Sequence, residues 1–433
     1  MHLDIRGQAR SVLDGTALVD VGVTTLVNVG IILDVCRSLL YTSMGVTALV
    51  DVGVTAVAPA NLLLPQQLQC RGLPNMGNTC YINATLQCLL SGQSFCTQLR
   101  RQEETVREGP SALLISSLVG VLGLRTSSDR ELKRAVLMEL KHLVSLRNRR
   151  FEGNSQNDAH EFLLECLLGL RVRGRDLGDV ATQCPVDTVL SFQLLQIISC
   201  RSCGLESRRE DNVTYISLPM VAQGSVRSCL EHYFTASPVE FRCECGGQES
   251  DMRMQLHTLP KVLILQLVRF CPFTLNKTED ALHLDTELQV MPRAEGTAVS
   301  APAQTGSGHC SAAHSPGKWP TRTDGGKYRL SAIVSHMGDT IQSGHYVADC
   351  REAGGQTWVH YNDEEVTPVT EEAVLEGRAK TAYMLFYERK VWPPNMITST
   401  TITSITASHG HHHHGHHVNH HHRQPRPPPW PPC

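Results

Sequence analysis

The chain has 433 residues, 41% of them hydrophobic and 19% charged, with a net charge of −3. That balance is globular, fits one elaborate domain of about 300 residues or two to three smaller ones, and excludes a broad electrostatic pull toward nucleic acid or anionic membrane. No run of about 18 or more apolar residues suggests a membrane span, and the opening MHLDIRGQAR has no apolar region behind it to make a secretory signal. The sixteen cysteines are therefore expected as reduced thiols of the cytoplasm or nucleus, not as a disulfide framework.

Residues 1–64 read as a low-information appendage with a twofold repeat: TALVDVGVT at 16–24 returns at 47–55, too few copies for a stacked solenoid. Composition changes near Cys70, and 70–390 reads as the folded domain. Helical periods dominate 80–170, in YINATLQCLL, SALLISSLVGVLGL, RELKRAVLMELKHLV and DAHEFLLECLLGL. Strand periods dominate 186–390, in VLSFQLLQIIS, KVLILQLVRF, YRLSAIVSH, HYVADC, WVHYN and AYMLFYER. Helices followed by antiparallel strands define an α+β class. Residues 294–326, rich in Ala, Gly, Ser, Thr and Pro, read as a flexible insertion. Residues 391–433 are Thr/His/Pro-rich, hold ten of the 21 histidines within 409–422, and read as a disordered tail that cannot bury a core.

The segment RGLPNMGNTCYINATLQCLL, 71–90, is chemically the most informative. Gly77 and the turn-favouring Asn75 and Asn78 deliver Cys80 to the start of an apolar helix. A thiol there faces unpaired N–H groups and the positive end of the helix dipole, which favour thiolate and can hold a developing oxyanion. Asn75 offers a further amide donor. The blander alternative is a buried structural cysteine, as expected for Cys88 on the same helix.

A catalytic cysteine needs a base, and His345 in SGHYVADCREAGGQTWVHYNDEEVTPV, 343–369, is the candidate. Reading HYVADCR and QTWVHYN as strands joined by Glu352–Gly355 places His345 opposite Asn362, so that the Asn362 amide oxygen or the neighbouring Asp363 accepts from the imidazole and fixes its tautomer.

The segment around Cys80 resembles the cysteine box of the ubiquitin-specific proteases, through Gly72-Leu73, Asn75, Gly77-Asn78-Thr79-Cys80-Tyr81, Asn83 and Leu86-Gln87. Gly344-His345-Tyr346-Val347, Trp358 and Asn362-Asp363-Glu364 are similar to the histidine box of that family, and QNDAHEFL at 156–163 and PKVLILQLVRF at 260–270 to two further marks. Val268 stands where the family usually carries a basic residue.

What the resemblance implies is a papain-like cysteine protease with helical thumb, β palm and β fingers, the fingers falling at about 187–250. It implies Cys80 as nucleophile, His345 as base, Asn362 as its orienting partner with Asp363 as alternative or helper, and Asn75 as oxyanion donor. Gln156, Asp158 and Tyr346 would border the channel for the ubiquitin tail, Asp158 reading equally as a helix cap. Cys200, Cys203, Cys243 and Cys245 fall where the family carries a zinc ribbon; the Cys-x-Cys pair is one residue short of the usual chelate, so structural zinc and free cysteines on a finger both stay open. Catalysis needs no cofactor. The implied partners are ubiquitin and ubiquitinated proteins, with no nucleic acid and no membrane. The rival reading is a catalytically silent ubiquitin-binding module, against which stands the complete set Asn75, Cys80, His345 and Asn362. A papain-type protease explains the cysteine but not QNDAHEFL.

Overall fold

The computed structural model describes residues 70–106, 108–171, 184–270, 277–292, 325–340, 343–352 and 357–390. The repeat at 16–24 and 47–55, nearly all of the 294–326 insertion and the tail lie outside the described residues.

Five helices come first: α1 (Cys80–Leu89), α2 (Gln93–Thr105), α3 (Pro110–Leu124), α4 (Arg130–Arg147) and α5 (Ala159–Leu170). Their starts follow local chemistry. Pro110 opens α3, where its missing N–H costs nothing, and the carboxylates of Asp129 and Asp158 accept from Leu132 N and Glu161 N to cap α4 and α5. Every residue of α1 is buried, Asn83, Thr85 and Gln87 included, so this helix is the centre of the helical layer and not one of its faces.

The strands form two sheets, together with α6 (Val226–Phe234) and α7 (Glu371–Arg378). The smaller holds β1 (Phe192–Cys200), β2 (Glu206–Val213), β4 (Ser237–Glu240) and β5 (Glu249–Leu256) in the order β2-β1-β5-β4. The larger holds β3 (Ile216–Pro219), β6 (Val262–Val268), β7 (Glu287–Val290), β8 (Gly326–Thr340), β9 (Ser343–Arg351), β10 (Trp358–Asn362), β11 (Glu365–Val369) and β12 (Ala382–Arg389). Its order is β11-β10-β9-β8-β12-β6-β3, with β7 beside β8, and all its pairs are antiparallel except β3 with β6. Within 187–250, β3 and α6 therefore serve the large sheet and its core, and the last strand of the small sheet runs on to Leu256.

The large sheet is covered on both faces, which is why its central strands read as continuous apolar runs. Along β12, Met384 and Phe386 enter the core shared with α1, α3 and α5, while Leu385 and Tyr387 enter a second core with α6 and β7. At the end of β6, Val268 is 39% exposed and Arg269 is wholly buried. The departure at Val268 thus lies on the surface. The Arg269 guanidinium donates to the carbonyls of Ala382 (2.6 Å), Thr278 (3.2 Å), Asp280 (3.0 Å) and Ala379 (2.7 Å), the last just past α7. Among the described residues no helix is long and apolar enough to cross a membrane.

Candidate active site

The cysteine loop is built by one side chain. The Asn75 Oδ1 accepts from the backbone N–H of Gly77 (3.0 Å) and Thr79 (3.2 Å) and from the Thr79 hydroxyl (3.2 Å), while Thr79 Oγ1 accepts from Met76 N (2.9 Å). Gly77 and Asn78 follow each other in the left-handed region, at φ of 88° and 53°, a conformation these residue types tolerate best. The chain then enters α1 at Cys80 with no side chain capping the helix, so the first-turn N–H groups beside the thiol are not claimed by a cap. Cys80 is 3% exposed.

His345 lies near the start of β9, and its Nε2–H donates to Asn362 Oδ1 at 2.6 Å, which leaves Nδ1 as the nitrogen for the thiol. Its hydrogen bond with Cys80 raises the imidazole to about 9; burial opposes the rise, and Asn362 and Asp363 add to it. A cysteine–histidine pair with that polarity favours thiolate and imidazolium.

The strand register corrects the sequence reading. Tyr361 pairs with Ala348 and His360 with Asp349, and the Glu352 N–H donates to Thr357 O across the hairpin. Continued, that register puts Val347 opposite Asn362, two residues from the expected His345. A slip of two keeps every side chain on its face, so His345 and Asn362 meet as diagonal neighbours; a slip of one would have parted them.

Asp363 occupies the β10–β11 turn at φ 52° and does more than assist the imidazole. Its Oδ2 accepts from Asn75 Nδ2 at 2.8 Å, its Oδ1 from Asn83 Nδ2 at 2.8 Å, and its carbonyl from Leu73 N at 2.9 Å, whereas His345 Nε2 stands 3.9 Å from Oδ2. The turn is therefore bolted to the cysteine loop, and one N–H of the Asn75 amide is committed to that bolt. Asn83 is a part the sequence reading used only as a family mark; an Asn inside an otherwise apolar helix was the available signal, since a buried amide needs partners.

The residues assigned to the tail channel are placed differently from one another. Gln156 bonds in both directions to Gly344 beside His345, its Nε2 donating to the carbonyl (2.8 Å) and its Oε1 accepting the N–H (2.9 Å). Asp158 caps α5 and accepts from the Tyr383 hydroxyl at 2.7 Å. Tyr346 is 4% exposed and its ring packs against His336 and Tyr383, so it underlies the cleft instead of lining its surface.

At the end of the small sheet the Sγ atoms of Cys200, Cys203, Cys243 and Cys245 all lie within 4.8 Å of one another, with Cys200–Cys245 at 3.7 Å and Cys203–Cys243 at 3.6 Å. A tetrahedron with metal–sulfur bonds of about 2.3 Å has edges of about 3.8 Å, so four thiolates of this arrangement fit a structural zinc. The short Cys-x-Cys spacing does not cost a ligand, because Gly246 turns at φ 91° and Cys243 N bonds to Gly247 O, folding the chain back under the second cysteine. Backbone amides of Cys203 and Ser202 hold the Cys200 thiol at about 6. Cys203, despite its backbone bond from Leu205, is pushed up to about 12 by Cys245 and Cys243. Four thiolates this close need a cation.

Fold and site together define the class: an α+β fold of papain type with a Cys80–His345–Asn362 arrangement at the junction of helices and sheet. The chain belongs to the ubiquitin carboxyl-terminal hydrolase family, whose profile matches residues 71–387. It is 36% identical over 231 residues to human ubiquitin carboxyl-terminal hydrolase 37, covering 47% of this chain and 24% of that protein. It is 31% identical over 238 residues to human ubiquitin carboxyl-terminal hydrolase 26, covering 48% and 26%. The matched part thus spans about a quarter of the length of these curated relatives. Among solved structures, the SAGA Ubp8/Sgf11/Sus1/Sgf73 DUB module bound to ubiquitin aldehyde is similar with a TM-score of 0.59 at 25% identity, over 76% of this chain and 71% of that one. The same module bound to monoubiquitin gives 0.60 at 24% identity, over 82% and 75%.

Proposed function

We propose that this protein is a cysteine-type deubiquitinase, cleaving the isopeptide or peptide bond after the C-terminal glycine of ubiquitin. The observation that carries the reading is Cys80 at the uncapped start of α1 with His345 beside it, the imidazole held by Asn362 at 2.6 Å. The Cys80 thiolate attacks the glycine carbonyl carbon and the carbonyl oxygen becomes an oxyanion, facing the first-turn N–H groups and the free N–H of Asn75. His345 imidazolium gives its proton to the leaving amine as the C–N bond breaks, leaving a thioester on Cys80. Water then loses a proton to His345 as it attacks the thioester, and the thiol departs with the carboxyl product formed. No metal takes part; the four-cysteine centre supports the small sheet.

Ubiquitin and ubiquitinated proteins are the partners in this reading, supported by the ubiquitin aldehyde bound to the similar DUB module. A reducing compartment, cytoplasm or nucleus, agrees with cysteines that are all free among the described residues. The silent-binder alternative gains no support, because nucleophile, base and orienting amide are all present and assembled. A ubiquitin probe ending in a cysteine-reactive electrophile tests the proposal: wild type is expected to be labelled and Cys80→Ala not. Folded wild-type protein that binds ubiquitin but resists labelling would leave the binder as the correct reading.

A further inference from the structure

The end of β9 that carries His345 lacks the support that sheets normally give. Pairing with β10 stops at Ala348, and the register with β8 jumps between Met337 and Thr340, so no strand residue among those described pairs with Gly344. Its N–H and C=O are nonetheless both satisfied, by the Oε1 and Nε2 of Gln156 at 2.9 and 2.8 Å. A side-chain amide offering one acceptor and one donor to the same residue does what a peptide group of a neighbouring strand would do. Gln156 stands immediately before α5, on the helical side of the cleft, with α5 packed on the helix that begins at Cys80. The clamp therefore ties the base to the layer that carries the nucleophile.

The opposite side of Gly344 is closed as well. A Cβ there would lie 2.5 Å from His336 Nε2 and 2.5 Å from Met337 O, at a backbone φ of 157°. His336 is itself 1% exposed and is lowered to about 4 by burial, with Lys277 and His345 adding to the effect, so it packs as a neutral ring under the strand and does not compete for the proton. Gln156 on one side and His336 on the other leave the backbone before His345 a single position.

We infer that Gln156 is a positioning residue for the reaction: its side chain serves as a substitute strand partner for Gly344 and thereby sets His345 against Cys80. This rests on the deubiquitinase reading for its rate consequence and departs from the channel-lining role that the family resemblance implies for Gln156. Misplacement of a base by about 1 Å costs on the order of a hundredfold in rate, so a two-bond clamp one residue from the base is a strong lever.

Two variants test it in the full chain. Gln156→Leu removes both bonds at similar size; Gln156→Glu keeps an acceptor for the Gly344 N–H but faces its carbonyl with a charged oxygen. With ubiquitin carrying a fluorogenic C-terminal amide, kcat is expected to fall about 10- to 100-fold in Gln156→Leu, with KM within about twofold, and Gln156→Glu to fall between. In the same variants, NMR of labelled histidine is expected to show His345 titrating below its wild-type midpoint, since its distance to Cys80 is no longer fixed. An unmoved His345 titration overturns the inference whatever the rate does, and a raised KM with unchanged kcat makes Gln156 a substrate contact. If Gln156→Leu does not fold by near-UV circular dichroism, Gln156→Glu carries both readouts. Should the wild type itself fail to hydrolyse ubiquitin, the functional reading falls while the titration still decides the role of Gln156.

Discussion

The large and small sheets are held together by different physics. The large sheet buries both faces in apolar cores, and its polar interior groups are individually satisfied, as the four carbonyls on Arg269 and the Asp349 carboxylate between His360 and Arg378 show. The small sheet is apolar only where Phe192, Leu194 and Leu256 join the core of its neighbour. Toward its far end Ser207–Glu210 of β2 are exposed, Leu205 and Phe241 are 59% and 42% exposed, and the cross-links are surface ion pairs such as Arg201–Asp251 and Arg209–Asp211. Exposed pairs of that kind contribute about 0–1 kcal/mol each. An extension with so little core needs a staple, and the four thiols are where one fits.

The sharpest way to break the large sheet is through its buried cation. Arg269→Met leaves four buried carbonyls without their donor, and is expected to cost about 3–5 kcal/mol, on the order of 10 °C in Tm, by urea and thermal unfolding of the intact chain. The small sheet should respond to the opposite treatment. Chelation of zinc, or Cys203→Ser, is expected to speed amide exchange in β4, β5 and the β1–β2 hairpin about a hundredfold, about 2.7 kcal/mol, while α1, α5 and β12 stay protected. Equal loss in both sheets would show that the thiol centre supports the whole fold and not its extension.

Between these lies the active site, where the test is titration. With a folded value of about 9 against an ordinary 6.5, the stabilisation that His345 gains from its partners is complete below pH 6.5 and is lost as pH rises through about 9. Cys80→Ala removes the largest cause of the shift. The His345 midpoint is then expected to move down by NMR, and the variant to lose less stability than wild type between pH 6.5 and 9 in urea midpoints. A midpoint that stays near 9 would assign the shift to Asn362 and Asp363 instead. The smallest expected effect is at the cap of α5: Asp158→Ala should cost about 1–2 kcal/mol by urea unfolding, through the lost bond to Glu161 N and the orphaned Tyr383 hydroxyl.

Much of this was legible in the chain. The four helical segments and the strands WVHYN and AYMLFYER stand where periodicity and turn residues put them, β10 and β12 residue for residue. The His345–Asn362 contact was readable although the register was off by two, because a strand repeats every second residue and faces survive an even slip. The one-residue shortfall of Cys243-x-Cys245 argued wrongly against a complete ligand set, because spacing rules describe a usual turn and not the one that Gly246 and Gly247 make. Arg269, Asp349 and Asn83 were not readable as structural centres, since a lone charged or amide residue in an apolar run gives no sign of which distant carbonyls or carboxylates will meet it.

What the sequence by itself determined is the chemistry that is local: a loop of Asn75, Gly77 and Asn78 that must turn, and a helix that must begin at the cysteine. Those rest on backbone conformations and bonds within a few residues. Only the tertiary structure decided that Asp363 bolts the turn after β10 to that loop, that Gln156 stands in for a strand beside His345, and that two distant cysteine pairs close to tetrahedral spacing. Each of these joins groups tens to hundreds of residues apart, whose meeting depends on how the helices and sheets pack and not on any repeat along the chain.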